Sequence, residues 1–297
     1  LVKIIGGSKP SVMSIVDMEV VWRDIKTGES VDEFDMDVAL NPPTTEKEEE
    51  GEGNDGDEAE ASEESEDIGV YALAVSEDNR LLATGHASGK VRIWDLEKKS
   101  VVHVLSGHAS TVHALAFSTT GRLLASGDED GGVCTWEVVK GIRSHKMNAH
   151  NVSATACAFS PDEKWLLTGS DEGTITQWDT ANGRPHRHLK GHDSSVYALV
   201  FSPDGTRIVS GGDDNKARLW DAASGWRIEV FPQHEDTVRC ARFTPSGRQF
   251  VTAGDDGVLR AWDTAKLEQV TEFKKHDDAI VCMAVSRDGT QAVVGCF

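Results

Sequence analysis

The sequence predicts an all-β protein built from radially packed four-stranded sheets, the blades of a propeller, and three ladders of residues carry that prediction. Trp94, Trp136, Trp178, Trp220 and Trp262 recur every 42 residues. Val75, Phe117, Phe159, Phe201, Phe243 and Val285 keep the same spacing, and so do His108, His150, His192, His234 and His276. A period of about 40–45 residues is that of one four-stranded blade. A sheet this small cannot bury both faces alone. Stacking sheets around an axis buries them and leaves only short edges.

One unit, Ser195 to Phe231, shows how the elements follow. Val196–Phe201 is a short apolar strand, and Ser202-Pro203-Asp204-Gly205 is a turn, because Pro presets φ and Gly accepts positive φ. Arg207–Ser210 is a second strand, Gly212–Asn215 a turn, Ala217–Trp220 a third strand, Ala223–Gly225 a turn, and Arg227–Phe231 the fourth. Strands of four to six residues with a turn signal after each read as an antiparallel meander. No segment keeps a helical apolar period.

These residues resemble the WD-repeat family: Trp94-Asp95, Trp136-Glu137, Trp178-Asp179, Trp220-Asp221 and Trp262-Asp263, with Gly107-His108 and Gly191-His192, over roughly residues 70–297. The resemblance implies a structural tetrad of His, Ser or Thr, Asp and Trp in each blade. Carried over by position, it gives His108, Ser126, Asp130 and Trp136; His192, Ser210, Asp214 and Trp220; and His234, Thr252, Asp256 and Trp262. The blade of His150, Thr168 and Trp178 departs, with Glu172 at the Asp position. The blade of Trp94 departs further, with Thr84 present, Ser88 at the Asp position and no matching His. The Gly before His is missing at His150, His234 and His276.

The ends are less regular. Met18–Phe34 reads as the third and fourth strands of a blade around a Lys26-Thr27-Gly28 turn, Leu1–Gly6 as a second strand, and Ala279–Phe297 as two strands more. The reading is five full blades plus two partial ones in one domain, 1–297: a seven-bladed ring truncated at both ends. The alternative is a closed ring of six in which the N-terminal strands complete the last blade.

Asp24 and Asp95 are 71 residues apart, 29 more than one period, so an insertion (41–69) separates the fourth strand of one blade from the first strand of the next. Residues 44–67 hold thirteen Asp or Glu and one Lys, a net −12 of the −20 carried by the chain. With almost no apolar residues this insertion is expected to be disordered. Two readings stand: a solvated spacer, or a polyanion that captures a basic partner or shields the binding face. Ser62 and Ser65, flanked by acids, are candidate phosphorylation sites.

In the family the binding face is made by the His loops and Asp turns. Five residues after each His stand His113, Thr155, Tyr197, Arg239 and Val281, a set that varies from blade to blade as a partner-reading surface should. Just before the tetrad Asp position stand Ala87, Glu129, Asp171, Asp213 and Asp255, an acidic rim suited to Lys- or Arg-rich segments, although Asp is also favoured in tight turns for its own sake. The candidate face is therefore His113, Tyr197, Arg239, Glu129, Asp171, Asp213 and Asp255. Trp165 and Trp226 are extra aromatics, either core filler or interface.

The acidic balance argues against direct nucleic-acid or anionic-membrane binding. The five cysteines, odd in number and without a CxxC, read as reduced thiols, as in the cytoplasm or nucleus. The periodic histidines belong to different blades and do not converge as metal ligands need to, and no P-loop, G-x-S-x-G or H-E-x-x-H occurs. Neither cofactor nor catalysis is expected. The expected role is a non-enzymatic scaffold for protein partners within a larger complex. The alternatives are an acidic, chaperone-like escort of a histone or ribosomal protein and, more remotely, an enzyme on a propeller.

Overall fold

The computed structural model describes residues 2–5, 11–16, 19–24, 30–36, 69–273, 275–286 and 288–296. Among the described residues seven antiparallel sheets follow one another. The first is β1 (Val2–Ile5), β2 (Ser11–Val16), β3 (Glu19–Asp24) and β4 (Ser30–Asp35). The second is β5 (Val70–Val75), β6 (Leu81–His86), β7 (Val91–Asp95) and β8 (Ser100–Leu105). The third is β9 (Val112–Phe117), β10 (Leu123–Asp128), β11 (Gly132–Glu137) and β12 (Ile142–Asn148). The fourth is β13 (Ala154–Phe159), β14 (Trp165–Ser170), β15 (Ile175–Asp179) and β16 (Arg184–Leu189). The fifth is β17 (Val196–Phe201), β18 (Arg207–Gly212), β19 (Ala217–Asp221) and β20 (Arg227–Phe231). The sixth is β21 (Val238–Phe243), β22 (Gln249–Gly254), β23 (Arg260–Asp263) and β24 (Gln269–Glu272), and the seventh is β25 (Ile280–Val285) with β26 (Ala292–Cys296).

The first strand of each sheet lies innermost. β5 contacts β9, β9 contacts β13, and so on through β17 and β21 to β25, and β25 in turn contacts β1. The N-terminal sheet thus sits beside the C-terminal one, as a propeller requires. Cohesion comes from interleaving sheet faces. Trp136 packs on Val91, Ile93 and Leu105 of the preceding sheet. Trp220 packs on Leu167, Ile175 and Leu189, and Trp262 with Phe250 on Leu219 and Phe231. Burying one such side chain contributes roughly 1.5–3 kcal/mol, which is why one large ring sits at the same place in every period.

The turns between second and third strands press against the loops that enter the next sheet. Gly173 has φ +75, and a Cβ there would meet the His192 carbonyl oxygen at 2.6 Å. One period later Asn215 takes the same left-handed conformation, with φ 61, which Asn tolerates better than other L residues.

Two expectations need correction. Residues 1–6 do not supply a second strand: β1 pairs only with β2, and β2 with β3, so β1 is the inner strand of a four-stranded sheet. The alternating stretch Ser11–Val16 provides the second strand. The count of five full and two partial sheets therefore becomes six four-stranded sheets and one of two strands. The six-blade closure is not formed, because β1–β4 hydrogen-bond among themselves and not with β25–β26. The Lys26–Gly28 turn and the acidic insertion, Gly69 apart, lie outside the described residues; the insertion falls between β4 and β5.

Candidate binding face

The hydrogen-bond networks that hold this face begin at the indoles. Trp220 Nε1 donates to Ser210 Oγ at 2.9 Å, Ser210 Oγ lies 2.7 Å from His192 Nε2, and His192 Nδ1 lies 3.0 Å from Asp214. Trp262, Thr252, His234 and Asp256 form the same chain at 2.8, 2.7 and 3.0 Å. In both sheets an arginine on the third strand extends it. Arg218 Nη1 donates to Asp214 at 2.6 Å, and Arg260 Nη1 to Asp256 at 2.6 Å. Burial alone would raise the Asp214 carboxyl; the His192 hydrogen bond and the Arg218 guanidinium outweigh it and hold Asp214 well below the usual carboxylate range.

In the β9–β12 sheet the carboxylate is not Asp130. Trp136 Nε1 donates to Ser126 at 2.8 Å and Ser126 meets His108 Nε2 at 2.6 Å, but His108 Nδ1 pairs with Asp128 at 2.6 Å. Asp128 sits two residues past Ser126 on the same strand, so both side chains share a face. Asp130 has Cys134, not Arg, four residues on, and its side chain is exposed on the turn. Burial pushes the His108 imidazole below its ordinary value, against the opposing pull of Asp128.

The same strand-face rule recovers a histidine the period missed. In the β5–β8 sheet Trp94 donates to Thr84 at 2.9 Å, and Thr84 meets His86 Nε2 at 2.8 Å. His86 occupies the position of Asp128 one period earlier, so the signal lay in an i, i+2 pair and not in the loop histidine ladder. In the β13–β16 sheet Trp178, Thr168 and His150 connect at 2.9 and 2.8 Å, while Glu172 is exposed. Burial, aided by nearby His188, pushes His150 down to about 4.

At the mouth of the central channel, a cavity of about 730 Å³, stand Tyr71, His113, Thr155, Tyr197, Arg239 and Val281, one from each inner strand from β5 to β25. Tyr71 belongs to this ring by period; counting from the loop histidines hid it, because its blade has none. Tyr71 meets His113 edge-on at 5.9 Å between centroids. Arg239 is not a free anchor. It lies 5.1 Å over the Tyr197 ring and binds Asp255 through two contacts of 2.6 and 2.7 Å. The hydrogen bonds that Arg239 donates to Asp255 raise the Arg239 pKa, and the two opposite charges, this close, largely cancel each other's field. Asp213 accepts from Thr237 at 2.7 Å and from Ser194 at 3.0 Å, yet remains exposed, as do Glu129 and Asp171. The acidic rim is thus three exposed carboxylates, with Asp255 withdrawn from it. Trp165 is half-buried and packs at a tilt of 31° against His186, with ring centroids 4.5 Å apart, while Trp226 is exposed.

None of the five cysteines is in a disulfide; burial pushes Cys134 up to about 11 and Cys240 up to about 12, so both are protonated at neutral pH. Among the described residues no three His, Cys, Asp or Glu side chains converge in a metal-binding group.

The family model of the WD domain, G-beta repeat, matches residues 141–179, 183–221 and 225–263. Each match takes the outer strand of one sheet and the three inner strands of the next, so one sequence repeat ties two blades together. The model of the Vps8 β-propeller matches residues 59–152. No curated protein matches the chain. Matched by both propeller models, repeating every 42 residues and joined by Trp–Ser/Thr–His networks, the chain belongs to the WD-repeat β-propeller family.

Proposed function

We propose that this chain is a non-enzymatic scaffold whose channel mouth and rim hold a Lys- or Arg-containing segment of a protein partner, within a larger cytoplasmic or nuclear complex. WD-repeat propellers generally mediate protein–protein interaction, and that supports the general role. One observation carries the specific reading. Exposed Glu129, Asp171 and Asp213 stand on consecutive turns around a mouth whose side chains vary around the ring. Carboxylates of one sign steer a basic segment, and the varied aromatic and polar mouth selects it.

The escort reading has its own support in the thirteen acidic residues of 44–67. Titrating the chain with a labelled Arg/Lys-rich peptide, at low and high salt, separates the two. The scaffold reading expects Glu129→Gln/Asp171→Asn/Asp213→Asn and Tyr197→Ala each to weaken binding by about tenfold or more, while deletion of 44–67 leaves most of it. Loss of binding on deletion, with the face variants unaffected, would instead assign the work to the polyanion.

A further inference from the structure

In an antiparallel meander the turns after the first and third strands lie at the end of the sheet opposite the His loops and Asp turns. At that end a cavity of about 610 Å³ opens between the β13–β16 and β17–β20 sheets. Pro161, Asp162 and Trp165 line it from one sheet, and Asp204, Arg207 and Ala222-Ala223 from the other. The repeat explains the gap. The β19–β20 turn begins with Ala222-Ala223, where the β7–β8 turn has Leu96-Glu97 and the β11–β12 turn Val138-Val139, and both Leu96 and Val138 are buried. Trp165 opens β14 where Leu81 and Leu123 open β6 and β10. Two small residues leave room on one side, and one large flat ring walls the other.

The walls carry unused acceptors. Asp204 Oδ1 accepts from Ser202 and from the Thr206 amide and hydroxyl at 3.0 and 2.9 Å, while its Oδ2 accepts from nothing among the described residues. Asp162 Oδ1 accepts from Ser160 and from the Lys164 amide at 2.6 and 3.2 Å. Its Oδ2 has the Lys164 ammonium at 3.5 Å, but that side chain is 75% exposed, and such pairs exchange at little cost. The serine hydrogen bonds hold both carboxyls below the usual range, so both are charged at neutral pH. Arg207 is already bound to Asp221 at 2.9 Å. Asp162, Asp204 and Asp221 against Arg207 leave the lining a net −2.

We propose that this cleft receives an arginine side chain from an extended segment of a partner protein, with the guanidinium on the Trp165 indole and paired with Asp162 and Asp204. A guanidinium is planar and weakly hydrated, and it carries donors along its edges. It can therefore lie on an aromatic ring while it hydrogen-bonds carboxylates beside it, which the compact ammonium of lysine does less well. The site lies at the other end of the ring from Glu129, Asp171 and Asp213 and works independently of them.

The test titrates the whole chain with a labelled peptide holding one arginine among glycines and alanines. Companion peptides carry lysine, or citrulline, which keeps the shape of arginine without its charge. The proposal expects saturable binding of the arginine peptide, severalfold weaker binding of the lysine peptide, and at least about tenfold weaker binding of the citrulline peptide. Trp165→Leu, Asp204→Ser and Ala222→Val/Ala223→Val should each weaken binding of the arginine peptide by about tenfold. Each puts in what the same position carries in another sheet (Leu123, Ser246, and Val138 with Val139), so each is expected to melt as the parent does. The rim variant Glu129→Gln/Asp171→Asn/Asp213→Asn should leave binding intact. No saturable binding, equal binding of the companion peptides, indifference to the cleft variants, or loss with the rim variant overturns the proposal. Arginine amide that binds as tightly as the peptide also overturns it, by making the cleft a small-cation site. So does a concentration-dependent dimer in sedimentation that Trp165→Leu loses, which gives the cleft to a second copy.

Discussion

The β17–β20 and β13–β16 sheets are neighbours whose first three strands match in length and which share the same Trp-to-hydroxyl-to-imidazole chain, yet they finish it differently. In the first, His192 ends on Asp214, and Arg218 locks that carboxylate from four residues on. In the second, Glu172 stands for Asp and Thr176 for Arg, and His150 ends without a carboxylate partner in the network. The β21–β24 sheet sides with the first, with Asp256 and Arg260 both present. Carboxylate and guanidinium occur together in two sheets and are absent together in the third. In those two sheets each charge makes the other tolerable, because a buried charge is stable only when paired and hydrogen-bonded; the β5–β8 sheet, with Arg92 buried and Ser88 at the carboxylate position, does not share this pair.

The sharpest way to break the comparison is to leave one charge behind. Asp214→Ala strands the Arg218 guanidinium, only 3% exposed, and should cost about 3–5 kcal/mol of unfolding free energy, measured by urea titration. Glu172→Ala, at the same position in the neighbouring sheet, should stay within about 0.5 kcal/mol. Equal costs at the two sites would sink the idea of a coupled pair.

Acid gives the next largest contrast. His150 is held at about 4 by burial, below the 6.5 of a free imidazole. The unfolded chain therefore binds more protons than the folded one between those values, and stability falls as pH drops from 6.5 toward 4. This one group can account for up to about 3 kcal/mol of the loss. Asp214 works in a lower window: its depressed carboxyl stabilises the fold above the unfolded value of 3.8 and loses that contribution only as pH falls below it. Unfolding curves of the parent and of His150→Gln from pH 7 to pH 4 check this (pH chosen to span the window). The variant should show a visibly shallower slope; parallel slopes would mean that His150 does not titrate on unfolding.

Much of this was legible in the residues, and the failures have physical causes. Period and turn chemistry located β17 and β20 to the residue, because Pro203-Asp204-Gly205 and Ser224-Gly225 leave the backbone few alternatives. The N-terminal sheet was harder: Ser11–Val16 has no Trp, His or turn glycine in register with the ladders, so nothing in the period marks it. The face was half legible. Its positions followed from counting, but the Arg239–Asp255 pairing did not, since the two belong to different strands and each alone resembles an interface residue. Tyr71 and His86 were hidden because the counting started from a loop histidine that their blade lacks.

Asp128 and Asp130 give the finest test of the same reasoning. Asp130 matches Asp214 by period, but a carboxylate at that position needs the arginine four residues later to draw it toward the imidazole, and Cys134 stands there instead. Asp128 needs no such help. It extends from the end of β10 on the face of Ser126, reaches His108 at 2.6 Å and accepts the Gly132 amide at 2.6 Å. Its removal should therefore cost about 1–3 kcal/mol, the range for a buried hydrogen bond to a charged group. Asp130→Ala, a change on an exposed turn, should stay within about 0.5 kcal/mol. The reverse order in thermal melts would restore the positional rule and show that the period, not the strand face, chooses the carboxylate.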